Sequence, residues 1–243
     1  MDNGQLKRAR KAIQQAAHIV VLTGAGVSAE SGIPTFRSDG GFWQGRRAED
    51  LATPEGFHRD PKGVWEWYDW RRSQISETQP NAGHLALAEF ERQRGPGAVT
   101  LVTQNVDGLH ERAGSRVVLR LHGSIWEVRC LECGRSSEDL RLGELPPKCA
   151  DCGGMLRPGV VWFGEDLPEG VFQFASIAVK NADVLVVVGT SAVVFPAALL
   201  IPLAASHGAT VIEINPEETE MSLAATFALR GPSGTVLPAL LSP

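Results

Sequence analysis

Five runs rich in apolar and β-branched residues recur along the chain: Ile19 to Leu22, Val99 to Val102, Val117 to Leu121, Val184 to Val188 and Thr210 to Ile214. Most are near-continuous rather than alternating, as in strands buried on both faces of a parallel sheet. Between them the apolar spacing predicts helices over residues 4–17, 84–94, about 171–181 and 196–206. The first of these is basic and amphipathic, with Leu6, Ile13 and Ala17 near one face. Strands that alternate with helices predict an α/β fold, a Rossmann-like doubly wound parallel sheet. Two stretches break the alternation, and they read as inserts building a smaller lobe: residues 32–82, rich in Gly, Pro, Trp and Arg, and residues 126–164, which hold every cysteine. The larger lobe then comprises about 1–31, 83–125 and 165–243. Its last segment, Gly231 to Pro243, reads as a short apolar helix or turn packed on the sheet. Ligands of such folds collect at the carboxyl ends of the strands, so a cleft between lobes is the expected site.

Composition narrows this picture. With 43% apolar and 21% charged residues in 243, the chain has enough apolar surface to fold and is far from the disordered class. The net charge of -5 gives no general attraction to nucleic acid. The longest apolar stretch, Ala192 to Ala205, is too short to span a bilayer and is interrupted by Pro196 and Pro202. The N-terminus lacks the apolar region and cleavage site of a secretory signal, although a transit peptide is an alternative. A cytoplasmic chain is expected, monomeric, with neither nucleic acid nor membrane as partner.

The four cysteines fall in two pairs, Cys130-x-x-Cys133 and Cys149-x-x-Cys152, separated by 15 residues and each followed closely by glycine. Each C-x-x-C turn brings two thiolates to about 4 Å, and two turns complete a tetrahedral sulfur site that suits zinc. Four free thiols or a redox pair are the alternatives. A site whose four positions are all cysteine leaves no open position, so a single structural zinc is expected within a ribbon at 126–157.

The run from Ile19 leads into Gly24-Ala25-Gly26-Val27-Ser28-Ala29, a strand ending in G-x-G-x-x-A. Such glycines let backbone amides approach a pyrophosphate at a helix N-terminus. The ordinary dinucleotide fingerprint is not complete here, because Pro34 cuts the helix short and no strand-borne acid follows some 20 positions on. An unliganded strand-to-helix turn is the alternative. The longer segment from Gly24 through Glu30, Phe36 and Arg37 resembles the signature of the sirtuin family. Thr103-Gln104-Asn105-Val106-Asp107 and Leu121-His122-Gly123-Ser124 are similar to that family's other hallmarks, in order and just before the cysteines. Gly189-Thr190-Ser191 and Glu213-Ile214-Asn215 resemble its later cofactor loops. The similarity runs from about residue 19 to 238.

The resemblance implies transfer of an acyl group from lysine to the ADP-ribose of NAD, with nicotinamide released. It implies NAD contacts at Gly24, Ala25, Gly26, Ser28, Glu30, Phe36, Arg37, Trp43, Gln104, Asn105, Asp107, Gly189, Thr190, Ser191, Asn215, Pro216, Glu217 and Ser233. His122 and Asn105 are the catalytic candidates. A neutral imidazole at a strand end can take a ribose proton, and Gly123 is expected to keep its surroundings open. His84 and His110 read as structural. Val160, Val161, Phe163 and Gly164 resemble the family's peptide-binding strand, which pairs with an acyl-lysine substrate by main-chain bonds.

Tyr68 and Arg71 lie three apart within Val64 to Arg72, and on a helix they share a face, so that a phenol and a guanidinium converge on one carboxylate. The pair, with a small residue at Ala52, resembles the sirtuin branch that removes succinyl and malonyl groups. Desuccinylation and demalonylation with some deacetylation are expected. The alternatives are an enzyme that is mainly a deacetylase or ADP-ribosyltransferase, and an NAD-binding regulatory module without turnover.

Overall fold

The structure is a computed structural model that describes residues 2–35, 42–43, 45–138 and 144–242. Helix α1 (Asn3–Gln15) leads to strand β1 (Ile19–Thr23) and the one-turn helix α2 (Gly26–Ala29). The short strands β2 (Phe42–Trp43) and β3 (Arg46–Arg47) follow, then helices α3 (Ala48–Leu51), α4 (Pro54–Arg59) and α5 (Pro61–Glu77). Helix α6 (Ala82–Arg94), strand β4 (Val99–Thr103), helix α7 (Leu109–Arg112) and strand β5 (Val118–Arg120) come next. Strands β6 (Gly123–Cys130), β7 (Ser136–Glu138) and β8 (Leu156–Val160) build a separate antiparallel sheet. Helix α8 (Glu169–Lys180), strand β9 (Val184–Val188), helix α9 (Leu200–Ser206), strands β10 (Thr210–Asn215) and β11 (Phe227–Arg230) and helix α10 (Ser233–Leu241) complete the chain.

Six strands form one parallel sheet in the order β11-β10-β9-β1-β4-β5. The near-continuous apolar runs are explained by layers on both sides. Ile19 and Val21 of β1 face one core with Ala9 and Ile13 of α1, Leu87 of α6 and Leu237 of α10. Val20 and Leu22 face the other, with Ala175 and Val179 of α8 and Leu200 and Ala204 of α9. Burying one such side chain is worth about 1.5–3 kcal/mol, so a central strand without a polar face is the stable solution. A third core joins Trp65, Trp67 and Tyr68 of α5 to Ile125, Val128 and Trp162. Helix α5 starts cleanly because Asp60 caps it, its Oδ1 accepting from the Gly63 amide at 2.9 Å, with Pro61 in the first turn.

Three local expectations are corrected. The first helix ends at Gln15, and Ala17 is exposed, because Asp183 Oδ2 accepts from the amides of Ala17 and His18 and pulls the chain out of the helix. Strand β11 was not among the predicted runs; it is a four-residue edge strand whose apolar stretch, Phe227 to Leu229, is too short to stand out as a strand run. The segment 196–206 is a 3-10 turn, Ala197–Leu199, running into α9. No helix among the described residues is long and apolar enough to cross a membrane.

Candidate active site

Four parallel strand ends, those of β1, β4, β5 and β9, bring together the turn at Gly24–Ser28, Gln104 to Asp107, His122, and Gly189 with Thr190. Beyond Thr23, the turn at Gly24–Ser28 packs against Gly189 and Thr190, which follow β9. A Cβ on Gly24 would sit 2.8 Å from the Thr190 side chain, and one on Gly26 would sit 2.7 Å from the Gly189 carbonyl oxygen. The amides of Gly24 and Gly26 donate to the Val188 and Gly189 carbonyls at 3.0 and 2.8 Å. Both glycines are therefore required by a neighbouring loop, and their own amides are already spent on the carbonyls beyond β9.

Around that turn the polar side chains are wired together. Gln104 Nε2 donates to Thr190 Oγ1 at 3.1 Å. Asn105 Nδ2 donates to the Gly24 carbonyl and to Ser28 Oγ, each at 3.1 Å, and the Ser28 hydroxyl donates to Asp107 Oδ2 at 2.8 Å. Asp107 is buried, and burial pushes its carboxyl above the usual range against the opposing bonds from the Leu109 amide and Ser28. His84 lies behind Ser28, with Nε2 3.4 Å from Ser28 Oγ, while its Nδ1 accepts from the Asn81 amide in a capping box. His110 meets Thr23 Oγ1 at 2.9 Å, and the two histidine rings lie 4.8 Å apart. Sequence spacing gave no sign that His84 stands next to Ser28, 56 residues away.

His122 follows β5, and its Nδ1 lies 2.9 Å from the Gln104 carbonyl oxygen. A carbonyl only accepts, so Nδ1 carries the hydrogen and Nε2 presents a lone pair. Burial lowers the pKa of the ring, partly offset by that bond, which keeps it neutral near pH 7. Gly123 does not leave open space. It has φ +74°, and an added Cβ would meet the Gly159 carbonyl oxygen at 2.2 Å. That close approach holds the substrate-strand candidate beside the histidine: Val160 pairs with Gly123, and the Val161 amide donates to the His122 carbonyl at 2.9 Å. The Phe163 amide donates to the carbonyl of buried Ala52 at 2.9 Å, and Gly164, exposed, turns with φ +86°.

Helix α5 carries Tyr68 and Arg71 on one face. Tyr68 is fully buried, and burial pushes its phenol up to about 12, so it stays protonated. The Arg71 guanidinium stands 5.1 Å from the Trp67 ring centre and 6.0 Å from that of Tyr68. Arg71 is half-buried, and its pKa is lowered by desolvation, with Tyr68 and Asp107 acting in the opposite sense. The adjacent Arg72 points elsewhere, its Nε donating to the Ile125 carbonyl at 2.6 Å. A cavity of about 130 Å³ is lined by Arg71, Trp67, Trp70 and Gln74 of α5, by Ala48, and by Gly32 to Thr35, which follow α2.

Glu30 and Ser233 are brought to each other: Glu30 Oε1 accepts from Ser233 Oγ at 2.7 Å and from the Gly234 amide at 2.8 Å, closing the N-terminus of α10. Ala25 belongs to the glycine turn after β1, and Ser191 follows Thr190 in the loop beyond β9. Asn215 ends β10, its Nδ2 donating to the Glu217 carbonyl at 3.1 Å, with Pro216 exposed between them. Phe36, Arg37 and the Trp43 side chain lie outside the described residues.

The ribbon cysteines converge, with all four sulfurs within 4.8 Å of one another. Cys130 and Cys152 Sγ are 3.5 Å apart, and Cys133 and Cys149 Sγ 3.8 Å, close to the edge of about 3.8 Å implied by Zn–S bonds of about 2.3 Å. The two knuckles repeat one geometry. Gly134 and Gly153, with φ of +71° and +74°, donate to the carbonyls of Cys130 and Cys149 at 3.1 and 2.9 Å. The cluster fits a structural zinc.

The family model described as Sir2 family matches residues 24–196. This chain belongs to the Sir2, or sirtuin, family. It is 54% identical over 222 residues to the NAD-dependent protein deacylase of Aquifex aeolicus, covering 90% of this chain and 92% of that protein. It is 51% identical over 231 residues to NAD-dependent protein deacylase 2 of Pyrobaculum aerophilum, covering 94% and 92%. A Sir2 homologue solved in complex with NAD superposes with TM-score 0.91 at 50% identity, covering 97% of this chain and 92% of that one. A Sir2 structure bound to an acetylated peptide gives 0.87 at 28% identity, covering 97% of each.

Proposed function

We propose that this Sir2-family chain, an NAD-dependent protein deacylase, prefers lysine acyl groups that end in a carboxylate, removing succinyl and malonyl groups ahead of acetyl. The observation that carries the preference is the Tyr68–Arg71 pair on one helical face, a buried protonated phenol beside a half-buried guanidinium that lines a cavity with Gly32 to Thr35. A phenol and a guanidinium both donate hydrogen bonds, so together they form a donor set for an anionic tail.

The donor set at the strand ends fits NAD. Gln104, Asn105 and Asp107 offer amide and carboxyl groups suited to ribose and carboxamide, the loops at 189–191 and 215–217 extend the site, and Phe36, Arg37 and Trp43 are proposed to complete it. When bound, NAD supplies the sugar that accepts the acyl group and the nicotinamide that leaves. His122 is the general base, its free Nε2 taking a proton from a sugar hydroxyl. Asn105 is fixed by Gly24 and Ser28, and so presents its amide in one orientation. The segment Val160 to Gly164 lies beside His122 and holds the acyl-lysine peptide by main-chain bonds. Residues 32–82 and 126–164 form a smaller lobe in this reading, with the site in the cleft between it and the larger lobe, and the zinc keeps its ribbon in shape.

The test is nicotinamide release and mass spectrometry with NAD and one peptide carrying acetyl, succinyl, malonyl or glutaryl lysine. Higher kcat/KM on the dicarboxylic acyl groups is expected. A preference for acetyl lysine would leave a deacetylase and remove the acidic-acyl reading.

A further inference from the structure

We infer that Trp162 is a positioning residue that fixes the hydrogen-bond polarity of Tyr68, leaving the Tyr68 hydroxyl hydrogen free for a carboxylate-bearing acyl group. This rests on the acidic-acyl reading above and names the element that makes Tyr68 a donor. Trp162 Nε1 lies 2.9 Å from Tyr68 Oη, and both side chains are buried. An indole N–H can only donate, so Tyr68 Oη accepts there. Among the described residues no other hydrogen bond engages that oxygen, and its own hydrogen remains to be given. A phenol bonded instead to a carbonyl or carboxylate would spend its hydrogen inside the protein and present lone pairs to an anion, which repel it.

The indole is held so that this polarity cannot be lost by rotation. The Arg157 guanidinium lies 3.4 Å from the Trp162 ring centre, and the Phe57 ring sits at 5.2 Å, tilted by 38°. Arg157 is itself fixed, with Nη2 donating to Glu165 Oε2 and to the Val160 carbonyl, each at 2.9 Å. Glu165 Oε2 also accepts from the Trp162 amide at 2.8 Å. The turn at 160–165 thus carries two functions on neighbouring residues. Val161 is tied to His122, and Trp162 to Tyr68. The buried phenol, raised to about 12, keeps its proton throughout the working pH range.

The test compares Trp162→Phe, Tyr68→Phe and the double variant with the wild type, reading kcat/KM on succinyl and acetyl forms of one peptide. Loss of one neutral hydrogen bond predicts that Trp162→Phe lowers the succinyl-to-acetyl ratio about 5- to 10-fold. In the Tyr68→Phe background the same change should have no further effect on the ratio, because the hydroxyl it orients is gone. Equal losses on both substrates, or an undiminished effect without the Tyr68 hydroxyl, would overturn the inference and assign Trp162 to packing. Tyr68 is the single tyrosine of the chain, so its Cζ resonance is unambiguous in tyrosine-labelled protein. If Trp162→Phe does not fold, the indole proton of Trp162 answers: Tyr68→Phe must move that resonance upfield, and an unmoved resonance means the bond is not made. A wild type without acidic-acyl preference removes the underlying reading. A wild type with the preference, an Arg71→Met variant that loses it and a Trp162→Phe variant that keeps it refute this inference alone.

Discussion

Arg71→Met isolates the guanidinium from the helix that carries it. Methionine keeps an unbranched, apolar stem that packs on the Trp67 ring, so α5 retains its contacts while five N–H donors and a full charge are removed. A hydrogen bond to a charged group contributes about 1.5–3 kcal/mol, which corresponds to a loss of about 10- to 150-fold. Arg71 is half-buried and keeps some water in reach, which places the expected loss in the lower part of that range. The assay is kcat/KM for succinyl and acetyl forms of one peptide at saturating NAD, followed by mass spectrometry, with thermal melts to check folding. The succinyl value should fall at least tenfold further than the acetyl value. Equal losses on the two substrates would refute the carboxylate role and leave Arg71 as a helix-surface residue.

The remaining expectations concern the base, the metal and acid. His122→Ala should lower kcat about 10²- to 10⁴-fold while the fold persists, and undiminished turnover would exclude it as the base. In the wild type the acid limb of kcat/KM should fall below the ordinary histidine value of 6.5, because burial disfavours the charged ring; a limb above 6.5 contradicts this. Stripping zinc with a chelator should lower Tm by about 10 °C or more, and metal analysis should find one zinc per chain; a metal-free protein with an unchanged melt rejects the ribbon site. His84 and His110, buried with pKa values near 4 and 3, contribute stability that is complete above about pH 6.5 and is lost as pH falls towards those values. Each histidine then costs about 1.4 kcal/mol per pH unit in that window, and urea midpoints that do not move between pH 7 and 5 would show that the rings are not buried neutral.

What the sequence revealed depended on whether a feature is local or long-range. The five strand runs were legible because a strand buried on both faces must be apolar throughout, and Ile19 to Leu22 has no other stable place. Strand β11 is apolar only over Phe227 to Leu229, too short a run to be told from its surroundings. The cysteine knuckles were legible because each is a tight turn whose geometry is written in four consecutive residues. The role of Gly24 and Gly26 was not, since what fills the space beside them is the Gly189–Thr190 loop, more than 160 residues away. Gly123 likewise answers to the Gly159 carbonyl rather than to open space. The Tyr68–Arg71 pair could be placed on one face from helical spacing alone, but its partner Trp162, 94 residues on, appears only when α5 packs against the turn after β8.

In the proposed complex a carboxylate-bearing acyl chain reaches Arg71 and Tyr68 while its lysine amide lies beside His122 and the cofactor. A crystal structure with a succinyl-lysine peptide and a non-hydrolysable NAD analogue measures this directly. The terminal carboxylate is expected within about 3.2 Å of both the Arg71 guanidinium and the Tyr68 hydroxyl. A carboxylate turned to solvent, or one held by other side chains, would contradict it.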